Sequence, residues 1–348
     1  MDECELVYRY LPILADQDMR VLKLEPALHY NDPLVASLFS RPIQDDTESP
    51  SPTYQCISYC WGIFEKSGWL ICDNQRLSIT ANVDAILRHL RKASKPRNLW
   101  IDTLCINQAD DWEKANQVRS MGRIYKRADK VHIWLGTAND KDCIPSVFAI
   151  FREQVNTVEQ LILTYESTFG HISPQMVAAL LSFFDRPWFN RRWVLQEVVL
   201  AHSATVHCGH HTLSWNWVRE AVAKLHSGYL QRHPAQNNPS FPSSVVNAFE
   251  NVALLEARRV DEISILQLLW NHHASECADA RDRLFALYAM VPATLRNALN
   301  PHEHCPVNYT ENFALLYTKL AAAAINTGFG LTILNHALAF GSLEQQDP

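Results

Sequence analysis

The sequence predicts an α/β body on a mostly parallel sheet with flanking helices, followed by a mainly helical C-terminal region. Three observations carry that prediction. Apolar runs rich in β-branched and aromatic residues recur at 53–62, 98–106 and 130–136, the composition of buried strands. Between them the apolar spacing switches to helical period, after Thr80 and over 111–128, and strands alternating with helices favour a parallel sheet. Beyond residue 140 the spacing is helical for most of the chain.

The elements follow in order. RVLKL (20–24) alternates and reads as a short strand, and the polar, proline-bearing SRPIQDDTESPSPT (40–53) reads as a surface loop. TYQCISYCWG (53–62) is a buried strand closed at Gly62, and WLICDNQRLSI (69–79) is a hairpin turning at Asp73-Asn74. Thr80 caps a helix carrying Val83, Ile86, Leu87 and Leu90, with Pro96 to end it. NLWIDTLCI (98–106) is a further strand, 111–128 a helix with Val118, Met121, Tyr125 and Ala128 on one face, and KVHIWLG (130–136) a strand ended by glycine. A single helix between Ile106 and Val131 suits a right-handed crossover. Ser173-Pro174 opens a helix, RRWVLQEVVLA (191–201) forms another, ATVHC (204–208) a short strand, and Ser214 caps a helix with Trp217, Ala221, Val222 and Leu225. A polar loop over about 227–244 precedes further helices, among them ARDRLFALYAMV (280–291) and TENFALLYTKLAAAAI (310–325). Two units are expected, 1–212 with its core motifs at 54–201, and 213–348.

Composition narrows the function. With 348 residues, 47% hydrophobic and 20% charged, the chain has the material for a real core and is not a disordered polymer. A net charge of -6 lacks the basic footprint of nucleic-acid binding, so no nucleic-acid partner is expected. Ten glycines against ten tryptophans argue against glycine-rich phosphate loops and for bulky aromatic packing. The nine cysteines are scattered and odd in number, which suits free thiols in a reducing compartment. The acidic start MDECELVYRYLPIL has no basic leader segment, and no apolar run reaches the length of about 18–20 residues that a membrane span needs. A cytoplasmic location without a membrane partner is the expectation.

The most informative residues are polar ones held in apolar surroundings. Asp102 interrupts the LWIDTLCI run, and Asn107-Gln108 stands where that strand is expected to end, the position at which open α/β sheets bind ligands. In RRWVLQEVVLA, Gln196 and Glu197 lie between Val194-Leu195 and Val198-Val199-Leu200. Trp193 and Glu197 are four apart and share a helix face; a carboxylate beside an indole in a cleft is a candidate for a raised pKa and a catalytic role. Plainer readings stand beside these. Glu197 pairs with Arg186, Arg191 or Arg192; Asp102 caps the helix after it or holds a loop; Trp61, Trp100, Trp134 and Trp193 are core; Cys105 is a small buried apolar residue. The clusters His207-Cys208-His210-His211 and His302-His304-Cys305 have no paired metal-ligand spacing, so no metal and no bound cofactor are expected.

The blocks YQCISYCWG (54–62), LWIDTLCINQADDWEKANQVRSMGRIYKRADKVHIWLG (99–136) and RPWFNRRWVLQEVVLA (186–201) together resemble the fungal heterokaryon-incompatibility (HET) domain. ADARDRLFALYAMV (278–291) resembles a segment commonly found after that domain, and the resemblance covers roughly residues 20–290. The chain is expected to be short of the longer C-terminal regions many such proteins carry. The family implies fungal non-self recognition and programmed cell death. It is also remotely similar to TIR domains, a flavodoxin-like fold. Ile57-Ser58-Tyr59 resembles the first TIR strand, Leu99–Asp102 the second, and Trp193–Glu197 the helix that carries the catalytic glutamate of NAD-cleaving TIR enzymes. The long stretch between Gly136 and Arg186 and the loop after Trp61 depart from that pattern.

Two classes of function follow. The first is an enzyme, an NAD glycohydrolase with NAD as substrate. Glu197 is then the catalytic carboxylate by the motif match, while Tyr59, Trp61, Gly62, Asp102, Asn107, Gln108, Trp193 and Gln196 are candidate substrate contacts by position. Leaving nicotinamide is neutral, so one carboxylate that stabilises an oxocarbenium-like ribose suffices. The second is a non-catalytic death-signalling module that acts through contacts; beside these two stands a third option, an accessory protein of a biosynthetic cluster with a degenerate domain. Either leading reading implies self-association, with a signalling protein or an allelic incompatibility factor as partner.

Overall fold

Hydrogen bonding joins nine strands of the described residues into one mixed sheet. The computed structural model describes residues 7–13, 15, 17–43, 53–62, 65–152, 174–232, 252, 264–291 and 299–340. The strands are β1 (Asp18–Leu24), β2 (Val35–Pro42), β3 (Gln55–Tyr59), β4 (Lys66–Cys72), β5 (Gln75–Thr80), β6 (Arg97–Trp100), β7 (Lys130–Trp134), β8 (Ala204–Cys208) and β9 (His211–Ser214). They are ordered β5-β4-β2-β1-β6-β3-β7-β8-β9.

The middle of the sheet, β6-β3-β7-β8, is parallel. The mostly parallel expectation needs correction outside it. β1 runs antiparallel to both β2 and β6, β4 to β5, and β8 to β9, while β2 and β4 share a short parallel contact. For β4-β5 and β8-β9 the physical reason is connection length, because a two-residue link joins antiparallel neighbours. Asp73 and Asn74, with φ of 49° and 61°, make the primed turn that suits a two-residue hairpin. Gly209, at φ 55°, turns β8 into β9. The 40–53 run is also corrected at its start, where β2 extends to Pro42 and pairs with β1 along its length; the rest of that loop lies outside the described residues.

Helices fill the crossovers. They are α1 (Ala81–Leu90), α2 (Asp102–Cys105), α3 (Asp111–Arg127), α4 (Ile144–Arg152), α5 (Pro174–Phe184), α6 (Val194–Val199), α7 (Trp215–Arg232), α8 (Ile265–Asn271), α9 (Asp282–Phe285), α10 (Pro301–His304), α11 (Phe313–Asn326) and α12 (Gly330–Phe340). Thr80 caps α1 through its side chain, as the sequence predicts, but the helix stops at Leu90, well before Pro96. Asp110 caps α3 by accepting from Trp112 N and Glu113 N. None of the helices among the described residues is long and apolar enough to cross a membrane.

Two helix and strand expectations change. The strand read over 98–106 ends at Trp100, and 102–105 coil into α2, since Cys105 N and Ile106 N bond back to Ile101 O and Asp102 O. Asp102 therefore starts a helical turn directly after the strand instead of interrupting it. The 280–291 segment is broken into α9 and a single tight turn at Tyr288–Met290. Five consecutive residues there, Leu284 to Tyr288, are buried.

The C-terminal segment is fastened onto the α/β body by Arg192, only 1% exposed. Its Nε donates to Arg283 O at 2.7 Å and its Nη1 to His272 O at 2.5 Å. Beside it, Arg192 N donates to Glu276 O and Glu276 N to Asn190 O, at 2.8 and 2.7 Å, forming a parallel bridge between Arg191 and Glu276. Gly122 of α3 lies so close to Ala289 that a Cβ at position 122 would overlap the alanine methyl. Alanine in place of glycine gains about 1 kcal/mol in helix propensity, but overpacking costs about 1–3 kcal/mol. Gly122→Ala is therefore expected to lower the thermal unfolding midpoint, and Gly122→Leu to lower it further. A raised midpoint would show that the contact between α3 and the segment yields freely.

Candidate active site

β3 ends in Ser58-Tyr59 and leads into Cys60-Trp61, and successive side chains of a strand point to opposite faces. Ser58 is fully buried. Its Oγ accepts from Trp188 Nε1 at 2.8 Å and donates to Glu197 Oε2 at 2.5 Å, which ties α6 to the middle of the sheet. The other carboxylate oxygen, Oε1, receives Arg191 Nη1 at 3.4 Å. The same guanidinium donates to Tyr59 O at 2.5 Å and reaches Asp102 Oδ2 at 4.0 Å.

Asp102 stands just past the C-terminal end of β6, next to the end of β3. Its Oδ2 accepts from Trp61 Nε1 at 2.7 Å and its Oδ1 from Thr103 N at 2.8 Å. Gln108 Nε2 donates to Asp102 O at 3.1 Å. Two carboxylates thus share one arginine, and burial shapes all three groups. Desolvation pushes the Glu197 pKa up to about 7 against the opposing pull of Arg191 and Ser58. Desolvation also raises Asp102, against Arg191 and the Trp61 hydrogen bond. Arg191 is driven the other way: despite its burial, Glu197 and Asp102 lift its pKa and keep it charged.

A cavity of about 530 Å³ opens beside this network, within the range usual for ligand sites. The α/β body gives it Cys60, Trp61, Asp102, Gln108, Arg191 and Trp193, and the C-terminal segment closes it with Glu276, Asp279, Asp282 and Tyr309. Asp282 accepts from Trp193 Nε1 at 3.0 Å and from Tyr309 Oη at 2.7 Å.

The structure brings Trp61, Asp102, Gln108 and Trp193 together on the cavity wall, and it does not bring the other sequence candidates there. Glu197, 1% exposed in its side chain, lies behind Arg191. The expected pairing of Trp193 and Glu197 on one cleft is corrected: α6 is only six residues long, its carboxylate turns inward to Ser58, and the indole turns outward to Asp282. Tyr59 is buried with its hydroxyl on Thr103 Oγ1 at 2.7 Å. Asn107 is spent on local structure, its N donating to Glu113 and its Oδ1 accepting from Ala109 N. Gly62 is exposed at φ 70° in the turn after β3. Gln196 is buried, and its Nε2 has no hydrogen-bond partner among the described residues.

Sequence reasoning took Arg191 only as an ion-pair partner and missed Asp279, Asp282 and Tyr309. Asp282 lies in the ADARDRLFALYAMV block quoted above, which was the one available signal; Tyr309 had none. Among the described residues no three histidine, cysteine or acidic side chains are grouped to hold a metal. His207 instead faces His132, Nε2 to Nδ1, at 2.8 Å.

Comparison with known proteins agrees with the sequence blocks. The family described as Heterokaryon incompatibility protein (HET) matches residues 54–197, the stretch that supplies Ser58, Trp61, Asp102, Arg191 and Glu197. The chain is 31% identical over 238 residues to Heterokaryon incompatibility protein 6, OR allele, of Neurospora crassa, covering 58% of this chain and 34% of that relative. The chain thus matches about a third of the relative's length. No solved structure matches it. Residues 54–197 of this chain form a heterokaryon-incompatibility domain.

Proposed function

We propose that this HET-domain protein acts in fungal non-self recognition and programmed cell death, and that it does so by hydrolysing NAD at the cavity beside Asp102. The observation that carries the reading is the Asp102–Arg191–Glu197 network, one carboxylate on the cavity wall and one behind it. Cleavage breaks the bond between ribose C1′ and the nicotinamide nitrogen and forms one from C1′ to a water oxygen. The water's surplus proton passes to solvent, and nicotinamide leaves neutral without a general acid. The developing positive charge on the ribose needs a fixed negative partner in a poorly solvated place, and Asp102 faces the cavity in that setting. Glu197, the residue singled out by the resemblance to TIR enzymes, acts in this reading as a positioning residue: it holds Arg191, and Arg191 sets the charge and orientation around Asp102.

A second reading has its own support. Glu197 is sealed by Ser58 and Arg191, which suits a structural brace in a non-catalytic module that signals through contacts with a partner, a second copy or an allelic incompatibility factor.

Nicotinamide release from NAD by the purified chain separates the two. Release is expected from the wild type, with a loss of about 10²–10³-fold in Asp102→Asn, the size of removing one fixed charge-stabilising group. Glu197→Gln is expected to lower kcat with little change in KM and to flatten the pH profile. No release from concentrated wild-type protein, with cell death retained by Asp102→Asn, establishes the contact module instead.

The Glu197 carboxyl also links stability to pH. Its pKa in the folded chain, about 7, lies above the ordinary 4.5, so the folded state holds the proton more tightly than the unfolded one. The stabilisation is fully present below about 4.5 and is lost as pH rises through about 7. The unfolding free energy of wild type relative to Glu197→Gln is therefore expected to fall across that window and level off on either side. A difference that stays constant from pH 4 to 8 contradicts the assignment.

A further inference from the structure

Three rings on the cavity wall share one arrangement. Trp61 Nε1 donates to Asp102, Trp193 Nε1 donates to Asp282 Oδ2, and the Tyr309 hydroxyl donates to Asp282 Oδ1, at 2.7, 3.0 and 2.7 Å. A ring that gives its polar hydrogen to a carboxylate becomes richer in electrons, and its face becomes more attractive to positive charge. Glu276 lines the same wall, as does Asp279, whose carboxylate is paired with Arg281 at 2.6 Å.

The cavity already draws a cation from the protein itself. Lys114 of α3 lines it, with its Nζ 4.4 Å from the Tyr309 ring centroid, well inside the range of about 6 Å for cation–π attraction. Lysine is a long, adaptable side chain with a strongly hydrated head. A flat, weakly hydrated organic cation gives up less hydration on entering, and competes for the same surface.

We infer that the cavity is an aromatic cage for a pyridinium cation, walled by Trp61 and Trp193 from the HET domain and by Tyr309 from the C-terminal segment. Asp282 organises two of the three rings, and Lys114 is the internal cation that the ligand displaces. The inference rests on the NAD reading for which pyridinium enters, namely the nicotinamide end of NAD, but binding to the cage does not require cleavage. It also makes the binding unit larger than the stretch matched to the family, because residues beyond 275 supply the third ring and most of the acid.

The test uses the full chain and two probes of nearly the same shape, 1-methylnicotinamide, a cation, and nicotinamide, its neutral parent. Titration calorimetry is expected to show the cation bound at least about tenfold more tightly, the size of a desolvated cation–π contact. Asp282→Asn is expected to remove that preference. Lys114→Met, a change at a partly exposed side chain that leaves the cage standing, is expected to tighten 1-methylnicotinamide binding without affecting nicotinamide. Equal affinity for the two probes, binding of neither, or weaker cation binding in Lys114→Met overturns the cage. NAD hydrolysis is scored separately. Cation preference without hydrolysis supports the cage and removes the catalytic reading, whereas hydrolysis without cation preference overturns the cage alone.

Discussion

Everything at this site depends on Arg191. One guanidinium, on a side chain 18% exposed, answers two carboxylates and the carbonyl of Tyr59. Burying these charges carries a desolvation cost of several kcal/mol per ion, which only good geometry and full hydrogen bonding can offset. The raised pKa values of Glu197 and Asp102 are the visible residue of that cost. The interaction is also where four parts of the fold meet, because its partners come from the ends of β3 and β6, from α6 and, through the bridge to Glu276, from the C-terminal segment. Loss of any one partner leaves a buried charge uncompensated, so the network specifies this arrangement of elements more than it adds net stability.

Arg191 and Arg192 are neighbours with opposite duties. Arg191 turns to carboxylates at the cavity, and Arg192 turns to main-chain carbonyls of the segment that closes it. Burial unrelieved by a carboxylate pulls the Arg192 pKa down to about 10, whereas Glu197 and Asp102 lift that of Arg191. A displacement of the C-terminal segment would expose the Arg192 carbonyl bonds and remove the Glu276 bridge from Arg191 in a single movement. The site charge and the closing wall are therefore mechanically linked through two adjacent residues. The family-matched stretch, 54–197, holds the charged network but only part of the cavity.

How much of this was legible in the sequence follows from the range of each interaction. The Asp73-Asn74 hairpin, the Thr80 cap and the presence of β3, α3 and β7 rest on neighbours a few residues apart and read correctly, although β3 (Gln55–Tyr59) and β7 (Lys130–Trp134) are shorter than the runs 53–62 and 130–136. The 98–106 run failed because strand and buried helix share the same apolar composition; what ended the strand at Trp100 was the limit of its pairing with β1 and β3. Residues 40–42 begin the polar run read as a loop, and the pairing with β1 is what makes them the end of β2. At the site, Asp102, Trp61 and Trp193 were found because each is polar or aromatic at a strand end or helix start. Asp282 and Tyr309 were not, since their relation to Trp193 spans 89 residues for the first and depends on how the C-terminal segment folds back. Glu197 was identified as a buried carboxylate, but the side to which it turns was set by Ser58, on a strand 139 residues earlier.

The tryptophan content has a physical consequence that unites these observations. A buried indole adds a large apolar surface and one N–H that must find an acceptor. Here the acceptors are the polar groups that define the site and its frame: Asp102 for Trp61, Asn82 for Trp134, Ser58 for Trp188 and Asp282 for Trp193. Trp134 fixes Asn82, whose amide in turn donates to Cys60 O at the mouth of the cavity. Trp188 fixes Ser58, which holds Glu197. Each indole therefore does two things at once, filling the core and orienting a polar group that would otherwise choose among several rotamers. Trp100 is the exception that marks the difference: buried against Tyr125, it has an Nε1 without a partner among the described residues, and it orients nothing at the site. Within the blocks that carry the family resemblance, Trp61, Trp134, Trp188 and Trp193 thus help to fix where the charged network stands relative to the sheet.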